Sequence, residues 1–406
     1  MRVSRLCTFC LIVLVLICAG CGPEMSPQPV LDGQPTYVPL EADEAEDRAN
    51  TLSGHMQGLE SWTDLKPALE RSLRYIRSRP ADTVCVDQPG LRLTWAQLGE
   101  SVTELLGMLE ALDEDIDLVA ERFQWFKLAP RTLLTGYYEP WLDASLTQDE
   151  KYAYPMYGVP DDLQTSRLGA FHPRWKGESL VYRMGENGIE PYYDRTAIDR
   201  DGALAGRGHE IAWGADRVDV FFLQIEGSGR LAFPDGSAKH ILYAGKNGRQ
   251  YVSIGRLLID QGYIPKEAMS MQRIRSFLEE HPEKIEEILY ANPSYVFFRL
   301  ADEGPYGSFG NILTPRVSVA VDRTMIPLGS VLALKTSLLA TDGTTEPFMS
   351  LVLAHDTGGA IKGTRMDLFC GSGEDAAYVA GHLQADSEVF MLVSKKVLSA
   401  TSEAKN

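Results

Sequence analysis

Three aspartates stand beside short apolar runs, a setting in which carboxylates are uncommon. Asp322 ends the run at 317–321, Asp356 ends the run at 351–354, and Asp367 lies within a third run. Each run predicts a short strand. A carboxylate at such a position loses solvation, so its pKa rises, and nearby carboxylates raise it further. A group of this kind can hold a proton near neutral pH and act as a general acid.

An ordinary structural role is the alternative for each aspartate taken alone. Aspartate before Gly-Gly is a common turn residue, and aspartate at a strand end often caps a loop. Two of the three aspartates flank the Gly-rich segment at 357–363, and this repetition favours a shared site. A cation site built from all three is a further alternative, although their spacing matches no calcium loop.

Composition limits the classes of partner. The chain has 406 residues, of which 44% are hydrophobic and 23% charged, as in an ordinary globular protein with room for two domains. Its formal net charge of -17 argues against nucleic acid as a partner, because phosphate binding needs a basic surface. Neither a metal-ligand spacing of Cys and His nor a cofactor motif is found, so we expect no metal and no cofactor.

The start of the chain predicts an anchor rather than part of the fold. Residues 1–20 have the pattern of a targeting segment, and their apolar run at 11–17 is shorter than the ~20 residues of a spanning helix. Residues 18–21 resemble a lipoprotein cleavage box, which predicts a mature chain that starts at a lipid-modified Cys21. A plain signal peptide cleaved nearby is the alternative.

The mature chain alternates between helical and strand patterns. We predict a flexible tether at 21–47. The cysteines that follow it, Cys85 and Cys370, could be bridged or free. Apolar residues at helical spacing predict helices at 55–79, 95–127, 252–262 and 266–290. Strand patterns predict strands at 152–157, 180–182, 211–213, 218–225 and 230–233, and throughout 294–395. The Pro-Asp-Gly at 234–236 indicates a β-hairpin.

Several motifs together resemble one family of cell-wall enzymes. The sequences AVDRTMIPLG at 320–329 and HDTGGAIKGTRMDLFCG at 355–371 resemble a three-aspartate domain. With TGYYEP at 135–140, QIEGSGR at 224–230 and NPSYVFFR at 292–299, the chain resembles the membrane-bound lytic murein transglycosylase A family over roughly residues 130 to 385.

The resemblance implies a mainly β fold with peripheral helices. Residues 48–137 and 292–400 would form a double-psi β-barrel with helices, and residues 138–291 would form a second β domain inserted into it. A groove between the two would hold the substrate.

The resemblance also implies a lytic transglycosylase that cleaves the β-1,4 bond between N-acetylmuramic acid and N-acetylglucosamine. The muramoyl C6 hydroxyl attacks its own C1, giving a 1,6-anhydro end without a water acceptor. Asp367 matches the catalytic aspartate and would be both acid and base. Asp356 would raise its pKa or aid the developing cation, and Asp322 would support them by hydrogen bonding.

Glycan binding uses flat apolar faces and polar groups at their edges. The candidates for these roles are Tyr137, Tyr138, Gln224, Ser228, Arg230, Tyr295 and Lys362. Glu226 lies among them, but it ranks below Asp367 as an acid because the family pattern does not require a carboxyl there.

The implied partners are peptidoglycan strands and, through Cys21, a membrane; other murein synthases or hydrolases are candidate protein partners. Gly22 after that cysteine favours the periplasmic face of the outer membrane of a Gram-negative bacterium, by analogy. Two alternatives stay open, a non-catalytic peptidoglycan-binding lipoprotein and a hydrolase that uses a pair of aspartates.

Overall fold

The computed structural model describes residues 34–339 and 343–403. The predicted signal peptide at 1–20, Cys21 and the first part of the predicted tether lie outside the described residues. No helix within the described residues is long and apolar enough to cross a bilayer.

The first segment of the fold runs to residue 139 and combines helices with the first barrel strands. Its elements are β1 (Thr36–Pro39), α1 (Ala42–Ala49), α2 (Lys66–Arg77), β2 (Val84–Gln88), β3 (Leu91–Thr94), α3 (Trp95–Leu112), α4 (Leu118–Arg122), β4 (Phe123–Ala129) and β5 (Thr132–Glu139).

The predicted tether is wrong over its last residues. β1 pairs antiparallel with β4, and Tyr37 is buried with its hydroxyl donating to the Met325 carbonyl at 2.9 Å. α1 follows directly and buries Ala45 and Ala49. β1 is short and pairs with a strand far along the chain, so its own residues give little indication of a strand. The acidic composition around it therefore led to the prediction of a flexible tether.

The helical pattern at 95–127 is confirmed only in its first part. α3 begins at a capping box, in which Thr94 and Gln97 each accept a hydrogen bond from the other's backbone amide. It ends at Leu112, and residues 123–129 form β4, whose apolar side chains suit a strand as well as a helix. α2 and α3 share one apolar core with the barrel, so they do not form a separate subdomain.

The second segment forms most of a separate sheet system. Its elements are β6 (Trp141–Ser145), β7 (Tyr154–Tyr157), β8 (Gln164–Arg167), β9 (Ser179–Gly185), β10 (Gly188–Pro191), β11 (Glu210–Gly214), α5 (Arg217–Glu226), β12 (Ser228–Ala232), β13 (Ala238–Lys246), α6 (Ile254–Asp260), α7 (Met271–Glu280), α8 (Ile285–Tyr290) and β14 (Val296–Ala301). One sheet has the order β14-β13-β12-β6-β11-β7, and a second has the order β10-β9-β8.

The strand predicted at 218–225 is wrong, because these residues form α5. The Asp216 side chain accepts hydrogen bonds from the Val218 and Asp219 amides and caps the helix, and Gly227, at φ 81°, ends it. The β-branched and aromatic residues favoured a strand, but tertiary packing and the two caps outweigh that propensity. The hairpin predicted at 234–236 is confirmed, since β12 and β13 pair antiparallel around it.

The helix predicted at 266–290 is two helices. α7 ends at Glu280, and α8 begins at Ile285 after a turn that contains Pro282. Proline lacks the amide that a continuous helix needs, so the chain breaks there.

The third segment closes the barrel. Its elements are β15 (Ser318–Ala320), β16 (Val331–Leu339), β17 (Thr345–Asp356), β18 (Met366–Ser372), α9 (Glu374–His382), β19 (Gln384–Ser394) and α10 (Lys395–Glu403).

The barrel is a closed ring of strands in the order β19-β16-β17-β15-β18-β5, with β5 pairing back to β19. β15 runs parallel to β17, and β18 runs parallel to β5. The predicted fold class, a β-barrel that carries a second β domain and peripheral helices, is confirmed. The exact domain boundaries stay a prediction.

Candidate functional site

The parallel pair β5 and β18 brings TGYYEP beside the third aspartate. The register places Thr135 opposite Asp367 and Tyr137 opposite Phe369. Because strand side chains alternate between faces, Thr135 and Tyr137 share a face. The motif therefore supplies groups that contact two of the aspartates.

Asp367 is a largely buried carboxyl. The Thr135 hydroxyl donates a hydrogen bond to its Oδ1 at 2.9 Å. Burial raises the pKa of Asp367 from 3.8 to about 6, and the charge of Asp356 adds to the rise. The Thr135 hydrogen bond and the Arg365 charge lower this pKa and oppose part of the shift. This carboxyl can hold a proton in mildly acidic conditions.

Asp356 is held by hydrogen bonds to both of its oxygens. Its Oδ2 accepts from the Tyr137 hydroxyl at 2.9 Å, and its Oδ1 accepts from the amides of Ser308 and Thr357, each at 2.8 Å. Burial raises the pKa of Asp356, while these hydrogen bonds oppose the rise. Its orientation is thus fixed from three directions.

Asp322 differs from the other two aspartates. Although burial would raise its pKa, hydrogen bonds from Thr324 and the Gly363 amide and the charge of Lys362 lower it. The expectation of a raised pKa at this strand end is therefore wrong. Its Oδ2 accepts from the Gly363 amide at 2.9 Å, which ties the Gly-rich loop to the end of β15.

A groove of about 740 Å³ lies between barrel and inserted sheet. Residues from both sides line it, including Tyr137, Asp356 and Phe369 from the barrel, Glu226 from the end of α5 and Ser228 from β12 of the inserted sheet. We call it the cleavage groove. Asp367 is not among the residues that line the groove. Its side chain is partly exposed, and its charge helps to raise the pKa of Glu226, which does line the groove.

Glu226 is a second titrating carboxyl of the groove. Burial raises its pKa from 4.5 to about 7, and repulsion from Asp367 adds to the rise, while Arg275 opposes it. It stands at the C-terminal end of α5. The sequence analysis ranked Glu226 below Asp367 because the family pattern requires no carboxyl at that position. Only the tertiary structure brings the two carboxyls close enough for their charges to interact.

The predicted binding residues divide into three groups. Tyr137, Tyr138 and Ser228 line the cleavage groove. Gln224 and Tyr295 are buried inside the inserted sheet system, at 5% and 1% exposure, and the structure does not bring them to the groove.

The burial of Gln224 and Tyr295 has a local cause. Gln224 accepts a hydrogen bond from the Arg195 Nη2 at 2.7 Å, and Tyr295 packs against Tyr157 and Phe297. Polar and aromatic residues near a binding motif can equally belong to its supporting core.

Arg230 and Lys362 lie outside the residues that line the cleavage groove. The Arg230 guanidinium stacks on Trp141, 4.9 Å from the ring centroid. Lys362 is exposed on the Gly-rich loop, where its charge acts on Asp322.

A buried polar cluster links the barrel to the inserted sheet. Glu139, at the end of β5, is 1% exposed, and its Oε1 lies 2.6 Å from the Nδ1 of His240 on β13. The Ser372 hydroxyl donates to the other carboxyl oxygen. The sequence analysis did not predict this cluster. The only local indication of it was the acidic residue Glu139 in the motif TGYYEP.

The structure also bears on two alternatives left open by the sequence: a cation site and a disulfide between Cys85 and Cys370. Within residues 34–339 and 343–403, no group of three or more His, Cys, Asp and Glu side chains is placed to hold a metal ion. Cys85 and Cys370 are free, so they are not bridged.

Two family models match the chain. The MltA specific insert domain matches residues 133–299, and the 3D domain matches residues 317–393. These ranges contain TGYYEP and all three aspartates.

Relatives of known name are similar over much of the chain. Membrane-bound lytic murein transglycosylase A of Vibrio cholerae is 33% identical over 265 residues, which span 64% of this chain and 65% of the relative. A crystal structure of membrane-bound lytic murein transglycosylase from Agrobacterium tumefaciens has a TM-score of 0.70 at 32% identity and covers 91% of this chain and 99% of that one. E. coli MltA with bound chitohexaose has a TM-score of 0.61 at 26% identity and covers 90% of this chain and 97% of that one.

Proposed function

Because the chain belongs to the family of membrane-bound lytic murein transglycosylase A, we propose that it cleaves peptidoglycan strands as a lytic transglycosylase. The bond broken is the β-1,4 link between N-acetylmuramic acid and N-acetylglucosamine, and the product carries a 1,6-anhydromuramoyl end. The bound chitohexaose of the E. coli relative supports an oligosaccharide as the ligand of the cleavage groove.

The main support for this proposal is the position of Asp367 and its raised pKa. Its carboxyl holds a proton up to about pH 6 beside a groove that is large enough for sugar rings. Asp367 donates that proton to the glycosidic oxygen as the bond from this oxygen to C1 breaks. The muramoyl C6 hydroxyl then bonds to C1 and returns its proton to Asp367, so no second base is needed to activate water.

Asp356 acts as the positioned negative charge near the developing oxocarbenium centre. Its two oxygens are fixed by Tyr137, Ser308 and Thr357, so little reorganisation is needed during the reaction. Asp322 holds the Gly-rich loop and thus positions residues beside the groove.

The test is product analysis. Purified protein is incubated with murein sacculi, and the products are weighed by mass spectrometry. We expect 1,6-anhydro ends. Reducing ends would show the hydrolase that uses a pair of aspartates, and binding without cleavage would show the non-catalytic lipoprotein.

Turnover is expected to fall as pH rises through about 6. Asp367 must be protonated to act as the acid, and its pKa of about 6 sets the midpoint of the loss. The initial rate of anhydro-end release, measured from pH 4.5 to 8, checks this. A rate that stays constant to pH 8 would contradict the assignment of Asp367 as the proton donor.

Glu226→Gln is expected to keep turnover within about threefold of the unsubstituted protein, with the midpoint of the pH dependence still near 6. The amide keeps the size of the side chain, and Glu226 donates no proton in the proposed reaction. The same rate series measures this result. Loss of turnover by a hundredfold or more would make Glu226, with its pKa of about 7, the acid instead.

The names of the relatives support attachment to a membrane. We propose that Cys21 carries the lipid and that the enzyme works at the periplasmic face of the outer membrane of a Gram-negative bacterium. Other murein synthases or hydrolases are proposed as protein partners.

A further inference from the structure

A second cavity adjoins the cleavage groove and carries positive charge. Its volume is about 500 Å³, and it shares Ser308 and Thr357 with the groove. Its charged lining consists of Arg74, Arg79 and Arg323, and no acidic side chain stands among the described residues that line it. We call it the arginine pocket.

The three guanidinium groups have no carboxylate partner. Arg74, Arg79 and Arg323 are exposed, and none of them takes part in an ion pair found within residues 34–339 and 343–403. The chain has 56 Asp and Glu against 39 Lys and Arg, so acidic partners are abundant elsewhere. Three unpaired cations around one cavity in so acidic a protein point to an anionic ligand.

Aromatic packing fixes one wall of the pocket. The Arg79 guanidinium lies 4.2 Å from the ring centroid of Tyr75. That ring lies 4.9 Å from the Phe309 ring, which in turn lies 5.1 Å from the ring of His355. His355 is fully buried between the hydroxyls of Ser72 and Ser318. The wall is therefore continuous with the rigid end of β17, which also carries Asp356.

The two residues shared by pocket and groove also hold a carboxyl of the proposed active site. The amides of Ser308 and Thr357 both donate to Asp356 Oδ1. The arginine pocket therefore adjoins Asp356, which also lines the cleavage groove.

We propose that the arginine pocket binds the free carboxylates of the peptide stem carried by the muramoyl residue that is cleaved. This inference rests on the proposed function. The stem is joined to that sugar through its lactyl group, so it leaves the groove close to the reacting carbon. Guanidinium groups bind carboxylates through paired hydrogen bonds and keep their charge at every relevant pH.

The test compares two substrates with one triple variant, Arg74→Gln/Arg79→Gln/Arg323→Gln. One substrate is glycan strands with intact stems, and the other is the same strands after amidase treatment, which leaves only the lactyl carboxylate. We expect kcat/KM on stem-bearing strands to fall by about tenfold, through KM, and to fall by less than twofold on stripped strands. The loss should shrink as salt is raised, because the exposed charges are screened.

Arg77→Gln is the matched control for Arg74→Gln. Both residues are exposed on α2, but only Arg74 lines the pocket. We expect Arg74→Gln to weaken turnover of stem-bearing strands and Arg77→Gln to leave it unchanged. Equal losses by the triple variant on both substrates, or no loss on stem-bearing strands, would overturn the proposal.

A binding measurement separates failure of this inference from failure of the proposed function. The Asp367→Asn protein, with and without the three arginine substitutions, is titrated with stem-bearing and with stripped strands. If the parent protein released no anhydro ends, the proposed function would fail. A stem-dependent loss of affinity in the triple variant would still support the pocket, and equal affinities would overturn it.

Discussion

Asp367→Asn is expected to reduce the release of anhydro ends by between about a hundredfold and ten thousandfold, the usual contribution of a general acid. Asparagine has nearly the same shape and can still accept the hydrogen bond from Thr135, but it has no acidic proton to give. Binding of glycan strands should change little, because the residues that line the groove remain in place. Steady-state rates and binding titrations on the same preparation measure both quantities.

A stability measurement controls for misfolding of the Asp367→Asn protein. In the folded state the pKa of Asp367 is raised from 3.8 to about 6. Below 3.8 the group is protonated in the folded and the unfolded chain alike. As pH rises from 3.8 to about 6, the folded state holds its proton more tightly than the unfolded state, so stability falls.

Above pH 6 the ionised carboxyl destabilises the fold by up to about 3 kcal/mol. The Asp367→Asn protein should therefore be more stable than the unsubstituted protein at pH 8 and similar to it at pH 4, as urea titrations can show. An inactive variant that is less stable at both pH values would report a folding defect. Full turnover by a folded variant would remove Asp367 from its role.

Glu139→Ala is expected to lower the free energy of unfolding by about 3 kcal/mol. The substitution leaves His240 buried without the carboxyl to which it is hydrogen-bonded, and it removes the acceptor of the exposed Ser372 hydroxyl. Since His240 belongs to the inserted sheet and Glu139 to the barrel, the loss also loosens the junction that forms the cleavage groove. Urea unfolding at pH 7, followed by tryptophan fluorescence, measures the effect.

A double-mutant cycle is the matched control for Glu139→Ala. His240→Ala and the double variant Glu139→Ala/His240→Ala complete it. Because the second substitution removes the partner that the first leaves unpaired, the double variant should lose clearly less than the sum of the single losses. Strict additivity would mean that the two side chains do not act as a pair.

Apolar periodicity in the sequence was enough to predict strands beside the three aspartates. This setting is a local property of the chain. Apolar runs that end in a carboxylate predict a strand with a polar end, and the structure confirms strands beside Asp322, Asp356 and Asp367. The family resemblance added the barrel and the insertion, which periodicity alone does not specify.

Predictions from local patterns were wrong where contacts with residues distant in the chain determine the structure. The run at 218–225 has strand propensity, yet the cap at Asp216 and packing inside the inserted domain make it helical. Tyr295 lies within the motif NPSYVFFR, yet it is 1% exposed and packs against Tyr157 of β7 and Phe297 of β14. Only the folded chain shows which face of such a segment is covered.

The tertiary structure alone decided which carboxyls hold protons. Asp322 and Asp367 have similar sequence surroundings, but amide and hydroxyl donors lower the pKa of the first, while burial raises that of the second. It also brought Glu226 close enough to Asp367 for their charges to interact, and it placed Arg74 and Arg323 around one pocket. A pKa depends on the dielectric, charges and donors within a few ångströms, and residues far apart in the chain supply most of them here.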